Sequence, residues 1–276
     1  MIALKMSADP NTLVGRDRTP AEEMPGTLSV LGVDIVDMNY QDAITLVGCK
    51  RSSDAQIKLA FCNANTANIH CKNAAFRDAL TRFLVFPDGV GIDLAAHYLH
   101  GHAFKSNLHG TDFVPRLLQQ TERRLVIRLI GAKPGIAERA AKALAAQSPH
   151  HDIQALSDGY LDQARTKSVL DGLRATCPDV LLVAMGNPAQ ELWIDAHITP
   201  DHAHVAIGVG ALFDFLAGEV ARAPLLFQRL RIEWLFRLAQ EPRRLYRRYL
   251  VGNPLFLWRV ARQGRHGQHG RQGQHR

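Results

Sequence analysis

The chain has 276 residues, 46% of them hydrophobic, and a formal net charge of +7. That length and apolar content suffice for one α/β domain with an appendage, and they exclude a chain that is disordered along most of its length. Charged or amide residues interrupt the long apolar runs, so none reaches the roughly 18 residues that a membrane-spanning helix needs. The segment 1–26 lacks the continuous apolar stretch of a secretion signal, and we expect a disordered leader and a cytoplasmic protein.

Metal and disulfide chemistry have no clear signature in this sequence. The cysteines are scattered and none forms a CxxC pair, which favours reduced thiols over a disulfide framework or a zinc site. His97, His100 and His102 have only loose ligand spacing, which is more typical of surface histidines at a helix end. We therefore expect no metal site and no cofactor.

Strand and helix signals alternate along the chain after a first extended stretch at 27–38. The predicted strands are short apolar runs, and the segments between them carry helix signals, as at 134–147 and 189–197. Strands that are apolar on both faces and separated by helices predict parallel βαβ units. The region 27–218 is therefore predicted to be a doubly wound α/β domain with a mainly parallel sheet, whose strands lie at 57–65, 83–88, 124–131, 152–157, 180–186 and 204–210.

The positive charge is concentrated at the C-terminal end. From Arg222 onward there are 13 arginines and two acidic residues, whereas positions 1–221 hold 20 basic and 24 acidic residues. Aromatic residues, including Trp234 and Trp258, lie between these arginines, a pattern that suits the water–lipid boundary. We predict a basic, amphipathic, membrane-associating helical appendage at 219–262, binding an anionic membrane surface, and a disordered tail at 263–276.

Two other interpretations of this basic segment stay open. A solvated helix face would pair Arg237 with Glu233 and Glu241 along one stripe, but no acidic residue lies among the arginines that follow Pro242. A nucleic-acid-binding module would also interleave arginines with aromatic residues. It leaves the acidic body unexplained, so we expect no nucleic-acid partner.

Ligands of doubly wound sheets bind beyond the carboxyl ends of the strands, and four strand ends here carry unusual residues. The block NANTAN at 63–68 offers short polar side chains for a sugar or phosphate, or a turn with a helix cap. Asp88 in PDGVG is either a cap or a general base. Gly131 and Lys133 in GAKPG form a turn that suits a phosphate, and Gln190 in MGNPAQE can hydrogen-bond a sugar.

Taken in order, eight sequence blocks resemble the WecG/TagA/CpsF family of bacterial glycosyltransferases, glycosyltransferase family twenty-six. The resemblance runs from about residue 29 to about residue 260, and its blocks are NANTAN, PDGVG, NLHGTDF, GAKPG, SDGY, MGNPAQE, AIGVGALFDFLAGEVARAP and EWLFRLAQEPRR. It implies a Rossmann-like fold and an inverting, metal-independent enzyme on the inner face of the cell membrane. It also implies a UDP-sugar donor and a polyprenyl-diphosphate-linked sugar as the acceptor.

The resemblance further implies roles for individual residues. Asp88 corresponds to the catalytic base, which fits the chemistry because a sugar hydroxyl is a poor nucleophile until a base takes its proton. We expect Gly131 and Lys133 to contribute to nucleotide binding from their turn. The remaining implied residues are Thr66, Asn68 and Gln190 for substrate, Tyr160 and Asp214 for the nucleotide, and Arg237, Arg244 and Arg247 for the lipid diphosphate.

The spacing of the blocks bears on the donor sugar. The interval between NANTAN and PDG is shorter than in the teichoic-acid members. Together with NLHGTDFVP, it is more similar to the GumM-like branch of exopolysaccharide assembly, which favours UDP-glucose as the donor. The alternative is N-acetylmannosamine or its uronic acid, which the teichoic-acid and enterobacterial members transfer. A homo-oligomer also stays open.

Overall fold

The computed structural model describes residues 25–49, 55–224, 227 and 232–272, with side chains as far as 265. All but the last two residues of the predicted leader (1–26) lie outside this described part. The strands are β1 (Thr27–Val30), β2 (Val33–Val36), β3 (Ile57–Cys62), β4 (Leu84–Pro87), β5 (Val126–Gly131), β6 (Asp152–Ser157), β7 (Val180–Ala184) and β8 (Val205–Gly208). The helices that follow β2 and the later strands are α1 (Tyr40–Gly48), α2 (Ala64–His70), α3 (Ala74–Leu80), α4 (Val90–His100), α5 (Gly110–Gln120), α6 (Ile136–Gln147), α7 (Gln163–Thr176), α8 (Ala189–His197) and α9 (Leu212–Leu216).

Six of these strands form one parallel sheet with helices on both faces. The strand order is β4-β3-β8-β7-β5-β6, and every neighbouring pair in it is parallel. The α/β prediction with a mainly parallel sheet is confirmed. The first extended stretch is instead a separate antiparallel hairpin, β1-β2, because Leu31 and Gly32 adopt positive φ angles and reverse the chain between the two strands.

Apolar side chains on the two faces of the sheet supply the cores. One cluster includes Phe86, Phe113 and Phe213, and an opposite cluster includes Phe76 and Phe256. The strands β7 and β8 have no exposed residue, as expected for central strands covered on both faces. The sheet therefore presents one rigid edge, formed by the carboxyl ends of its strands, on which a site can be built.

The C-terminal segment folds back onto this domain. It consists of α10 (Glu233–Gln240), α11 (Pro242–Tyr246), a π-helical turn at Arg247–Val251 and α12 (Gly252–Gln272). Phe256 and Val260 of α12 are buried in the second core cluster. The helix continues through Gln272, into the range 263–276 for which the sequence predicts disorder, and the side chain of Gln263 accepts a hydrogen bond from the backbone N–H of Leu31 at 2.9 Å.

No helix in the described ranges combines the length and the apolar content needed to cross a bilayer.

Candidate active site

A cleft of about 1900 Å³ opens at the carboxyl ends of the strands. The loops that follow β3, β4, β5, β6, β7 and β8 all contribute to its walls, and the C-terminal helices close one side. This arrangement follows from the topology, because parallel strands direct their carboxyl ends to the same edge. The residues that the sequence places after separate strands therefore meet in one cavity.

Asp88 follows β4 and lies in this cleft between two hydrogen-bonding side chains. Its Oδ2 accepts a hydrogen bond from Asn63 Nδ2 at 3.0 Å, and its Oδ1 lies 2.8 Å from His109 Nδ1. Asn63 Oδ1 in turn caps α2 by accepting hydrogen bonds from the backbone N–H groups of Asn65 and Thr66, both at 3.1 Å. The NANTAN block thus serves as a helix cap and also positions the carboxylate of Asp88.

The loop that carries His109 is bonded directly to the loop that carries Asp88. Asn107 accepts a hydrogen bond from the Gly89 N–H at 2.8 Å and donates one to the Gly89 carbonyl at 3.0 Å. The N–H of Leu108 donates to the carbonyl of Pro87 at 2.8 Å. These three hydrogen bonds therefore fix the loop of His109 against the loop of Asp88.

The surroundings of the pair favour the charged form of each group. Burial opposes the charge on Asp88, but hydrogen bonds from His109 and Asn63 and the positive charge of Arg248 outweigh it, and the pKa of Asp88 is lowered. Burial likewise opposes protonation of His109, but the hydrogen bond and charge of Asp88 outweigh it, with smaller contributions from Glu233 and Asp112, and the pKa of His109 is raised. An ionised carboxylate can only accept a hydrogen bond, so His109 Nδ1 donates to it.

Thr66 and Asn68, which we predicted to bind substrate, have different positions. Thr66 lines the cleft, and its buried hydroxyl donates to the carbonyl of Phe61 at 3.3 Å. Asn68 does not line the cleft. Its Nδ2 donates to the carbonyl of Gly252 at 2.8 Å, and its Oδ1 accepts a hydrogen bond from Arg259 Nη1 at 2.8 Å, so it attaches α2 to α12.

Gln190 lies in the wall of the cleft with both ends of its amide in use. Its Oε1 accepts a hydrogen bond from the Gly210 N–H at 3.0 Å, and its Nε2 donates to Glu191 Oε1 at 2.8 Å. Glu191 is 1% exposed, and burial raises its pKa. Gln190 therefore fixes the loop after β8 against the loop after β7, in addition to any contact with a ligand.

The predicted nucleotide-binding residues mostly face the same cleft. Lys133, Tyr160 and Asp214 all line it, and burial raises the pKa of Asp214. Gly131 lies behind the wall, with φ +133°, where an added Cβ would come within 2.4 Å of the Ala184 carbonyl oxygen. Its contribution is to let β5 turn closely over β7, so that Lys133 reaches the cleft.

The arginines of the C-terminal segment divide into two groups. Arg237, Arg244 and Arg248 line the cleft, whereas Arg247 is exposed and its Nε donates to the hydroxyl of Tyr246 at 2.9 Å. Sequence reasoning selected Arg247 and missed Arg248.

The environment of Arg248 shows what that prediction overlooked. Burial lowers the pKa of Arg248, and its Nε is buried with no hydrogen-bond partner among the described residues. Arg244, which we expected to lack an acidic partner, pairs with Glu241, the residue before Pro242: its Nη1 lies 2.8 Å from Glu241 Oε1. The cleft therefore presents a desolvated guanidinium in Arg248, with unused hydrogen-bonding capacity, on the side opposite the sheet.

The described residues contain no group of three or more His, Cys, Asp or Glu side chains arranged to hold a metal ion. The charge that the cleft offers to an anionic ligand comes from Lys133 and the arginines.

Comparison with known proteins gives a consistent result. A family model described as the glycosyl transferase WecG/TagA/CpsF family matches residues 28–270. The chain is also similar to proteins named N-acetylglucosaminyldiphosphoundecaprenol N-acetyl-beta-D-mannosaminyltransferase from three bacteria. It is 32% identical to that of Bacillus spizizenii over 169 residues, 60% of this chain and 63% of the relative. It is 27% identical to that of Staphylococcus aureus strain MW2 over 247 residues, 84% of this chain and 93% of the relative. It is 34% identical to that of Bacillus subtilis over 161 residues, 57% of this chain and 61% of the relative.

Proposed function

Because the chain belongs to the WecG/TagA/CpsF family of glycosyltransferases, we propose that it transfers N-acetylmannosamine from a UDP-sugar to N-acetylglucosamine on a polyprenyl diphosphate. The names of the relatives support this sugar and this acceptor. Among the relatives compared, none supports the UDP-glucose donor or the role in exopolysaccharide assembly that the spacing of the sequence blocks favours. We therefore propose UDP-N-acetylmannosamine as the donor in place of UDP-glucose.

The observation that carries the proposal is the distribution of charge in one cleft. An ionised carboxylate, Asp88, lies in the same cavity as six lysine and arginine side chains, among them Lys133, Arg237, Arg244 and Arg248. Transfer from a UDP-sugar needs both, since a proton must leave the acceptor hydroxyl while negative charge grows on the departing diphosphate.

The reaction is a single displacement at the anomeric carbon of the donor. The acceptor oxygen forms a bond to that carbon as the bond from the carbon to the diphosphate oxygen breaks, and UDP leaves with the electron pair. A base at the Asp88 end of the cleft takes the hydroxyl proton. The cationic groups stabilise the leaving diphosphate, and a well-placed donor of this kind is worth about 3 kcal/mol.

The surface around the cleft suits an acceptor that is anchored in a membrane. Large apolar side chains, each more than half exposed, cluster on α4, on the π-helical turn and on α12, among exposed arginines. These apolar side chains would enter the headgroup region of the bilayer, and the arginines beside them would bind lipid phosphates. Together they would hold the protein reversibly at the inner face of the cell membrane. The apolar residues are Leu94, Tyr98, Leu250, Val251, Leu257 and Trp258.

A panel of donors and acceptors tests the proposal. Purified protein is incubated with UDP-N-acetylmannosamine, its uronic acid or UDP-glucose, and with polyprenyl diphosphate carrying N-acetylglucosamine or glucose, and the products are identified by mass spectrometry. We expect product from UDP-N-acetylmannosamine with the N-acetylglucosamine lipid, and a rate about 10²- to 10⁴-fold lower for Asp88→Asn. Product from UDP-glucose alone would refute the sugar assignment, and no product from any pair would refute the reaction.

A further inference from the structure

His109 was not selected from the sequence, yet it hydrogen-bonds directly to Asp88. It is the residue that immediately precedes α5, and it lies 2.8 Å from Asp88 Oδ1 through Nδ1. Its side chain is 40% exposed, whereas that of Asp88 is 26% exposed. Of the two groups, the imidazole is the one that the cleft exposes more.

The two oxygens of Asp88 are both engaged before any substrate enters. Asn63 donates to Oδ2 and His109 donates to Oδ1. A carboxylate that is stabilised in this way is a weak proton acceptor, because each hydrogen bond favours its ionised form over its protonated form. Asp88 is therefore better suited to orient a base and to stabilise a positive charge than to take the proton itself.

The imidazole supplies the missing acceptor. With Nδ1 donating to Asp88, the neutral ring carries its lone pair on Nε2. No described residue hydrogen-bonds to Nε2, and His109 lines the cleft. The same division of labour, in which a carboxylate fixes the tautomer of a histidine and the histidine moves the proton, recurs on unrelated folds.

We propose that His109 is the catalytic base of the transfer reaction and that Asp88 is its positioning partner. The inference rests on the proposed function. The proton of the acceptor hydroxyl passes to His109 Nε2, the oxygen forms its bond to the donor anomeric carbon, and the diphosphate leaves with the electron pair of the broken bond. The resulting imidazolium is held by the Asp88 carboxylate, and its proton passes to solvent after the products leave.

The charged groups around His109 set the expected dependence on pH. Asp88 after β4, Asp112 on α5 and Glu233 on α10 are acidic and raise the pKa of His109, and the positive charge of Arg248 acts on Asp88. Only the neutral imidazole can accept a proton, so kcat/KM should rise with pH through a pKa above the ordinary histidine value of about 6.5. A direct Asp88 base, with its lowered pKa, would give a flat profile from about pH 6 to pH 9.

The test uses the full chain and three variants, with N-acetylmannosamine transfer as the readout. For His109→Ala we expect kcat/KM to fall about 10²- to 10⁴-fold, and added imidazole to restore activity in proportion to its unprotonated fraction. His109→Gln, which keeps a polar side chain of similar size, should abolish the rise of rate with pH. His97→Gln, a change of an exposed histidine on α4, should leave both rate and profile unchanged.

Thermal melting and circular dichroism of each variant establish that it is folded. The inference is overturned if folded His109→Gln keeps the wild-type profile, if wild-type activity is flat across that pH range, or if His109→Ala does not respond to imidazole. Full activity in His109→Gln together with an inactive Asp88→Asn would refute His109 as the base and leave the proposed function intact. Absence of transfer in the wild type would instead refute the proposed function.

Discussion

Asn68 attaches the C-terminal helix to the sheet domain, and its removal should loosen that attachment. The Asn68→Ala change deletes the hydrogen bond to the Gly252 carbonyl and the one from Arg259, which belong to α12. The first is worth about 1 kcal/mol and the second, to a charged donor, about 2 kcal/mol. The hydrogen bond from Arg259 to the backbone carbonyl of residue 68, at 3.1 Å, does not depend on the side chain and is kept. We therefore expect the free energy of attachment of α12 to fall by about 3 kcal/mol, the sum of the two lost side-chain hydrogen bonds.

Amide hydrogen exchange measures this loss where it occurs. A loss of about 3 kcal/mol in the free energy of local opening corresponds to about 10²-fold faster exchange. We expect that acceleration in α12, while the amides of the central strands β5 and β7 keep their protection. Asn65→Ala on the same helix α2 serves as the control, since only the backbone of Asn65 takes part in the cap. Unchanged exchange in α12, accompanied by a raised KM for the acceptor, would show that Asn68 contacts substrate, as the family resemblance implies.

Three further predictions concern the cleft, the sheet and the exposed apolar surface. Arg248→Gln should lower kcat/KM by about 10²-fold, since it removes a buried cation that we propose stabilises the leaving diphosphate. Arg243→Gln, at an exposed position, should change kcat/KM less than twofold on a short-chain acceptor. Equal effects of the two changes would contradict a specific role for Arg248. Gly131→Ala should lower the free energy of unfolding, measured by urea titration, by about 2–4 kcal/mol. The φ angle of Gly131 is positive, and an added Cβ would overlap the backbone atoms of Ala184. An unchanged unfolding midpoint would refute this packing. Replacing Val251 and Trp258 by serine should reduce sedimentation with anionic vesicles about tenfold or more. Neither residue lines the cleft, so transfer to a short-chain acceptor should not change. Undiminished sedimentation would argue against this membrane surface.

The candidate site was partly predictable from the sequence, and the reason is topological. Asp88, Lys133 and Gln190 follow three different apolar strands, and a parallel sheet brings its strand ends together whatever the lengths of the intervening helices. Their shared location in one cleft follows from the alternation of strands and helices alone. What each does there depends on neighbours from elsewhere in the chain, as for Gln190, whose amide is divided between Gly210 and Glu191.

The arginines show a limit of sequence reasoning at the scale of one residue. Arg247 and Arg248 are adjacent, and neighbouring side chains on a helix point about 100° apart, so the two face different surroundings. Composition cannot decide which of them faces the cleft, because both have the same charge and similar flanking residues. The π-helical turn at Arg247–Val251 and its packing direct Arg248 inward and leave Arg247 against Tyr246.

Local periodicity was enough to determine the parallel α/β architecture, the strand-end position of the site and the segregation of positive charge, because each of these depends on residues that are close in sequence. The tertiary structure decided the pairings across long separations. His109 meets Asp88 across 21 residues, and Asn68 meets Gly252 across 184. Such contacts form because the sheet and its loops bring distant backbone segments together, and no local pattern of residue types encodes that distance or direction.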